Sequence, residues 1–332
     1  MRAAAVPNVP FMNATSARGA LFAALACLLV GASFTANSVL GGYPYAGGQA
    51  LRYALAFLLL APLARQGARE RLRRLPLRQW LRVALLSGVG MVGFNLAVLA
   101  AERSAEPAVS GVFVGCAPVV VAVLVPLLEG RRPRLWGASL VASGAFVVQG
   151  WGRTDGAGLV FSACALVGEV GFAVLATPVL RALGPLLTSA TVCGVAAVES
   201  AVLGVVLDGG GWVRWPDGGE AAALLWQAVV VTVVGFVCWY RGMQVLGAER
   251  ATLFSGLIPV AAAATAPVVG AGSYGAAQAL GSVLVGLGVA AGSGALRRAS
   301  GGAAGRRGGA RGAHDRRQGR GDPAGLRAGR RG

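Results

Sequence analysis

The chain has 332 residues, no lysine and a single histidine, His314. Without lysine there is no Gly-x-x-x-x-Gly-Lys-Ser/Thr phosphate loop, which excludes nucleotide hydrolysis of that kind. With its one histidine near the C-terminus, the chain has no His-based zinc site or Ser-His-Asp triad before that tail. Cys27, Cys116, Cys164, Cys193 and Cys238 are far apart, and each falls inside an apolar stretch. None has a partner at metal-ligand spacing, so they read as small packing residues, and neither a cofactor nor a metal is expected. Charge is scarce too, at 13 % of residues against about a quarter in a soluble domain.

What the chain does have is apolar length. Ten stretches, at 19–39, 46–64, 81–101, 107–128, 135–152, 157–180, 184–207, 221–240, 251–271 and 275–294, each approach or exceed the roughly 20 residues a helix needs to cross a bilayer core. The fold class predicted is an all-α integral membrane protein of ten transmembrane helices. The first stretch is long for a secretory signal and nine more follow it, so it reads as a retained helix. With both termini placed in the cytoplasm, the inner gaps hold fifteen arginines and the outer gaps three. The positive-inside rule therefore selects that orientation in a plasma membrane. Residues 1–18 read as a cytoplasmic segment. Residues 297–332, rich in Gly and Arg without apolar periodicity, read as a disordered cytoplasmic tail. Basic inner loops and tail attract anionic lipid; nucleic acid is the weaker reading of the Gly/Arg runs.

The ten stretches divide into two sets of five, 19–152 and 157–296, that repeat each other faintly. Pro118 and Pro126 sit eight apart in the fourth stretch, as do Pro259 and Pro267 in the ninth. Gly137 and Gly144 in the fifth match Gly281 and Gly288 in the tenth, and Val30-Gly31…Phe34 in the first resembles Val167-Gly168…Phe172 in the sixth. Since five is odd, a duplicated unit enters the membrane from the opposite side, so the pattern predicts two inverted five-helix repeats, a layout used by secondary transporters. Paired prolines remove backbone hydrogen bonds in corresponding helices, which marks them as helix breaks near a central site.

Few residues can carry chemistry. Glu169 lies near the middle of the sixth stretch, where a carboxylate costs about 2.5–3.5 kcal/mol on insertion scales. Such a group must face the bundle interior, and its neutral form is the one hydrocarbon tolerates, which suits reversible proton binding or a substrate cation. Glu199, in the seventh stretch, is a second acid with the same potential. Arg52 begins the second stretch and either snorkels outward or pairs with Glu169, Glu199 or an anionic substrate group. Asn37, Asn95, Gln149 and Gln227 are polar groups within stretches that can bond across helices or line a path. Glu129, at the inner end of the fourth stretch beside Arg131 and Arg132, reads as a cytoplasmic ion pair or gate.

The chain resembles the drug/metabolite transporter superfamily, specifically its ten-helix EamA-type permeases. The likeness rests on Arg52-Tyr53, Asn95…Leu99-Ala100, Ala105-Glu106-Pro107-Ala108-Val109-Ser110, Ala117-Pro118, Leu128-Glu129-Gly130, Trp136-Gly137…Gly144, Gly247-Ala248-Glu249-Arg250-Ala251, Ile258-Pro259 and Gln278…Gly281. The acidic residue usual after the fourth helix is present as Glu129, but its counterpart after the ninth is replaced by Gly270–Ser273. The tryptophan common in the first helix is absent. The resemblance implies a secondary transporter, and an exporter of a small metabolite or drug-like molecule. Its energy would come from protons or from the substrate's own gradient, and the oligomeric state is left open. The alternatives are an intramembrane enzyme, for which the spans lack a nucleophile–base pair, and a membrane scaffold or sensor whose basic tail binds lipid or nucleic acid.

Overall fold

The computed structural model describes residues 14–40, 42–102, 104, 107–133, 135–150, 154–265, 267 and 274–293. The side chains of 34–38, 102, 107, 108, 110, 149 and 293 are outside that description, as is the whole of 294–332. The described residues are all-helical apart from turns. α1 is Ala14–Val39 and α2 Tyr45–Leu63. α3 runs through Leu77–Ser87, Gly88–Gly93 and Phe94–Glu102, and its central six residues are π-wound. α4 comprises Pro107–Gly115 and Ala117–Leu128, interrupted at Cys116. α5 is Trp136–Gln149, α6 Gly156–Leu183 and α7 Pro185–Asp208. α8 runs through Gly218–Trp226, Gln227–Val234 and Gly235–Leu246, again π-wound in the middle. α9 passes through Ala248–Thr252, a 3₁₀ turn at Leu253–Gly256 and Leu257–Thr265. α10 is Ala276–Ser293.

Helices therefore stand in all ten places expected, with one shift at the start. α1 begins at Ala14, so part of the segment expected to precede it, Arg18 included, is already helical. Seven segments are long and apolar enough to cross a membrane: Ala14–Ser33, Tyr45–Leu63, Leu77–Ala101, Gly111–Leu128, Gly156–Leu183, Pro185–Gly211 and Gly218–Leu246. Trp136–Val148 and Ala276–Gly292 are shorter apolar helices, and α9 is divided by its 3₁₀ turn. The chain is a multi-pass membrane protein. Trp136, Trp215 and Tyr274 are exposed at or near helix ends, as an interfacial belt requires.

Local chemistry explains the ends. The Asp155 carboxylate accepts from the Gly158 N–H at 2.8 Å and caps α6. Asp217 and Glu220 form a reciprocal capping box on α8. Gly184 and Gly247, with φ of 75° and 81°, make one-residue reversals between α6 and α7 and between α8 and α9, where a side chain would be strained.

Packing has a two-fold character. α1 lies against α8 and α9, and α6 lies against α3 and α4. α2 pairs with α7, and α5 with α10. Exchanging each helix for the one five places on returns the same list. The α5–α10 contact is an antiparallel seam of glycines. A Cβ on Gly137 would come 2.5 Å from Gly292 Cα and 2.9 Å from the Gly288 carbonyl, and one on Gly144 would come 2.7 Å from the Gly281 carbonyl. The four glycines matched by position in sequence all lie in this seam, but in crossed pairs: Gly137 meets Gly288 and Gly144 meets Gly281, as an antiparallel contact requires. Close backbone approach of this kind is how helices associate in lipid, where burial of apolar surface gives no drive.

Candidate functional site

Glu169 is the deepest acid. It is the fourteenth residue of a 28-residue helix, near the bilayer middle if α6 spans it. Val160 and Val167 form the outward face of α6, 60 % and 63 % exposed. Glu169 points about 200° away from Val167 at 3.6 residues per turn. That inward face is otherwise closed by Ser162, Ala165, Ala173 and Ala176, yet Glu169 is only half-buried. It is within electrostatic reach of the Cys27 thiol on α1.

The floor of this region is the π-wound part of α3. A Cβ on Gly168 would lie 2.9 Å from Phe94 Cβ and 3.1 Å from the Val89 carbonyl, and one on Gly90 would lie 2.9 Å from Phe172 Cα. Glycines on both sides let α6 settle directly on the irregular turn. One turn beyond Glu169, the Phe172 ring meets three aromatics of α8: Phe236 at 5.7 Å, Tyr240 at 5.9 Å and Trp239, stacked, at 6.5 Å between centroids. Tyr240 Oη and Trp239 Nε1 are buried with no hydrogen-bond partner among the described residues. Two unpartnered donors beside an aromatic wall and a carboxyl can take an acceptor-bearing, part-apolar guest.

Arg52 does not reach Glu169 or Glu199. Its Nε donates to Thr232 Oγ1 at 2.7 Å and its Nη1 to Gln227 Oε1 at 3.2 Å, and the guanidinium sits 5.3 Å from the Tyr53 ring centre. Of the partners left open for it, neither acid is the one present: α8 offers the guanidinium neutral oxygens. Tyr53 and Gln227 are each 1 % exposed. Asn95 donates to Tyr53 Oη at 3.3 Å and to the Met91 carbonyl at 2.7 Å. Glu199 lies between α7 and α3. Its Oε1 would be 3.5 Å from a Cβ on Gly88, the Ser87 hydroxyl faces it, and its Oε2 is buried without a partner among the described residues. The side chains of Asn37 and Gln149 lie outside the described residues.

The proline breaks are distributed unevenly. Pro118 follows the interruption at Cys116, where Ala117 and Val121 pack on Val170 and Ala173 of α6 beside Glu169. Pro259 follows the 3₁₀ turn of α9, in the part of that helix whose Ile258 carbonyl abuts Gly31 of α1. Pro126 is instead near the end of α4, three residues before Glu129, and its carbonyl accepts from the Arg131 N–H at 2.7 Å. Pro267 is exposed, with undescribed neighbours. Of the four, Pro118 is placed against the helix that carries Glu169.

Loop contacts join the two ends separately. At the arginine-rich end, Arg131 binds Glu129 at 2.5 Å and Glu249 at 3.2 Å, and Arg71 donates to the Leu183 carbonyl at 3.3 Å. Both carboxylates, Glu129 first, push the Arg131 guanidinium above its ordinary range. Arg132 is exposed and has no ion pair among the described residues. At the opposite end Arg214 holds Glu220 at 2.5 and 2.7 Å, its guanidinium covers the Tyr43 ring at 4.9 Å, and Tyr43 Oη donates to the Arg214 carbonyl at 2.5 Å. Trp212 packs on Gly204, and its carbonyl abuts Gly47. No group of three or more metal-ligating side chains occurs among the described residues.

Sequence reasoning missed Thr232, the aromatic wall and both π-wound segments. Phe236, Trp239 and Tyr240, at i, i+3 and i+4 on α8, were the available signal for the wall.

Residues 17–149 match the EamA-like transporter family. The chain is 32 % identical over 114 residues to the inner membrane protein YtfF of Escherichia coli (strain K12). That match covers 34 % of this chain and 35 % of the relative, about a third of each. A solved structure, described only as the crystal structure of a protein, aligns with a TM-score of 0.72 at 22 % identity over 85 % of this chain and 98 % of its own, and shows the fold. The resemblance to the drug/metabolite transporter superfamily is borne out.

Proposed function

With residues 17–149 an EamA-like transporter domain, we propose that the protein is a secondary transporter that exports a small metabolite or drug-like amphiphile by alternating access. Its place is the plasma membrane, with both termini cytoplasmic. The relative's printed name, an inner membrane protein, and the arginine distribution support that location and orientation. Two inverted five-helix units, 19–152 and 157–296, are supported by the exchange symmetry of the helix pairings and by the glycine seam between α5 and α10.

The observation that carries the reading is Glu169: a half-buried carboxyl at mid-helix, on the face of α6 opposite the exposed Val160 and Val167, one turn from Phe172 and its α8 aromatic partners. A proton taken there neutralises the site in one orientation and leaves it in the other, which couples substrate exit to proton entry. The test uses purified protein in vesicles, comparing accumulation driven by a pH gradient with substrate counterflow for a panel of aromatic amphiphiles. Glu169→Gln should insert normally, lose at least about ten-fold in gradient-driven accumulation, a barrier change of about 1.4 kcal/mol, and keep counterflow. Equal loss of both would make Glu169 a binding or packing residue. Full gradient-driven transport by the variant would end the coupling proposal. For orientation, a single cysteine at position 210 in an otherwise cysteine-free protein should react with an impermeant thiol reagent outside, and one at 72 should not.

A further inference from the structure

The two π-wound segments are not independent. Neither helix is kinked there by proline, and an uninterrupted α-wind is the ordinary state of such a sequence. A π turn holds an extra residue. Rewinding it to α would turn everything beyond it by about 100° and shift it by about 1.5 Å along the axis. In α8 that would carry Phe236, Trp239 and Tyr240 off Phe172; in α3 it would carry Asn95 off Tyr53. Something must hold both segments in the π form, and successive residues of α2 touch both. Arg52 donates to Thr232 Oγ1, whose hydroxyl donates in turn to the Gln227 carbonyl five residues back, at 2.8 Å. That pair of bonds reaches from Thr232 back to the first residue of the π segment of α8, Gln227. Tyr53 receives Asn95, which also holds the Met91 carbonyl inside the π segment of α3. The two helices so held stand in different halves of the molecule.

We propose that Arg52 and Tyr53 are positioning residues: a two-residue clasp on α2 that keeps α8 and α3 π-wound and so sets which side chains line the space beside Glu169 and Phe172. Thr232 is the key of the clasp, since its hydroxyl joins the guanidinium to the Gln227 carbonyl of the helix backbone. The inference rests on the transport reading for its purpose, and its test needs no substrate. The full chain in lipid nanodiscs is followed by hydrogen–deuterium exchange resolved to peptides.

Thr232→Val preserves shape and removes both hydroxyl bonds. Exchange across 228–240 should rise about ten-fold, as one hydrogen bond to a charged group supports, while 88–95 changes less. Thr232→Ser should restore the native rate. Tyr53→Phe should show the opposite pattern, with 88–95 faster and 228–240 spared. Arg52→Lys, which keeps charge and loses the planar fork, should resemble Thr232→Val. If Val and Ser at 232 behave alike, or if each variant raises exchange uniformly, the clasp is overturned while the transport reading stands. A clasp that behaves as stated in a protein that moves no substrate would leave this inference intact and remove the transport reading.

Discussion

The α5–α10 seam and the space around α2, α3, α6 and α8 solve the same problem, holding helices together in lipid, by opposite means. The seam is glycine backbone against glycine backbone, with regular helices on both sides. The centre contains two π-wound helices, a guanidinium on neutral oxygens, a tyrosine hydroxyl and an indole N–H without partners among the described residues, and the Glu169 carboxyl. Apolar burial drives neither, so the seam gains its strength from contact distance alone. The centre leaves polar groups without partners among the described residues, and in a membrane interior such groups are costly. We propose on that ground that the seam is fixed frame and the centre the part that works.

The largest effect expected is at the seam. Gly144→Leu places a side chain 2.6–2.7 Å from the Val285 nitrogen and the Gly281 carbonyl, both backbone atoms that cannot give way. It should cost about 3 kcal/mol or more and remove the folded, monodisperse species in size exclusion. Gly286→Ala on the partner helix α10 meets nothing within 4 Å and should gain up to about 1 kcal/mol of helix propensity. A stable Leu variant at 144 would dissolve the comparison. Next comes Tyr240→Phe. Removing a buried hydroxyl without a partner should leave the thermal midpoint unchanged or raise it by the equivalent of about 1 kcal/mol, even where it weakens substrate binding. A drop of several degrees would make the centre part of the frame. Arg214→Ala, which strands the buried Glu220 carboxylate and uncovers Tyr43, should lower the midpoint clearly. Arg131→Ala at the other end, where both partners are more solvated, should scarcely move it. Parity between those two would show the ends equally fastened. The smallest effect is deletion of 300–332, after which insertion and transport should be nearly unchanged.

The frame was more legible in sequence than the centre. Apolar length and arginine placement located every helix, because a bilayer imposes length directly. Gly137, Gly144, Gly281 and Gly288 were matched by position before they were seen to touch. Glu169 stood out because one carboxyl in a long apolar run has few tolerable places to point. The π-wound segments were not legible. Gly88-Val-Gly-Met-Val-Gly93 is rich enough in glycine to permit an irregular turn, but Gln227-Ala-Val-Val-Val-Thr-Val-Val234 carries no breaker at all. Its winding is set by Arg52, 180 positions from Thr232 in the chain, and local propensity does not encode a contact of that range. The partners of Arg52 were not legible for the same reason: the sequence left its pairing open, and the neutral oxygens of Thr232 and Gln227 lie far along the chain.

The seam has one more consequence, which concerns the membrane rather than the protein. α5 has 14 residues and α10 has 18, so at 1.5 Å per residue they reach about 21 and 27 Å. The hydrocarbon of an ordinary bilayer is about 30 Å thick. α5 carries Trp136, 87 % exposed, at one end, and α10 turns Leu280, Val283 and Leu287 outward, so lipid meets this flank directly. To match helices of that length, lipid along the seam would thin by several ångströms, which the 28 residues of α6 do not ask of it. Short-chain or loosely packed lipid should therefore gather beside α5 and α10.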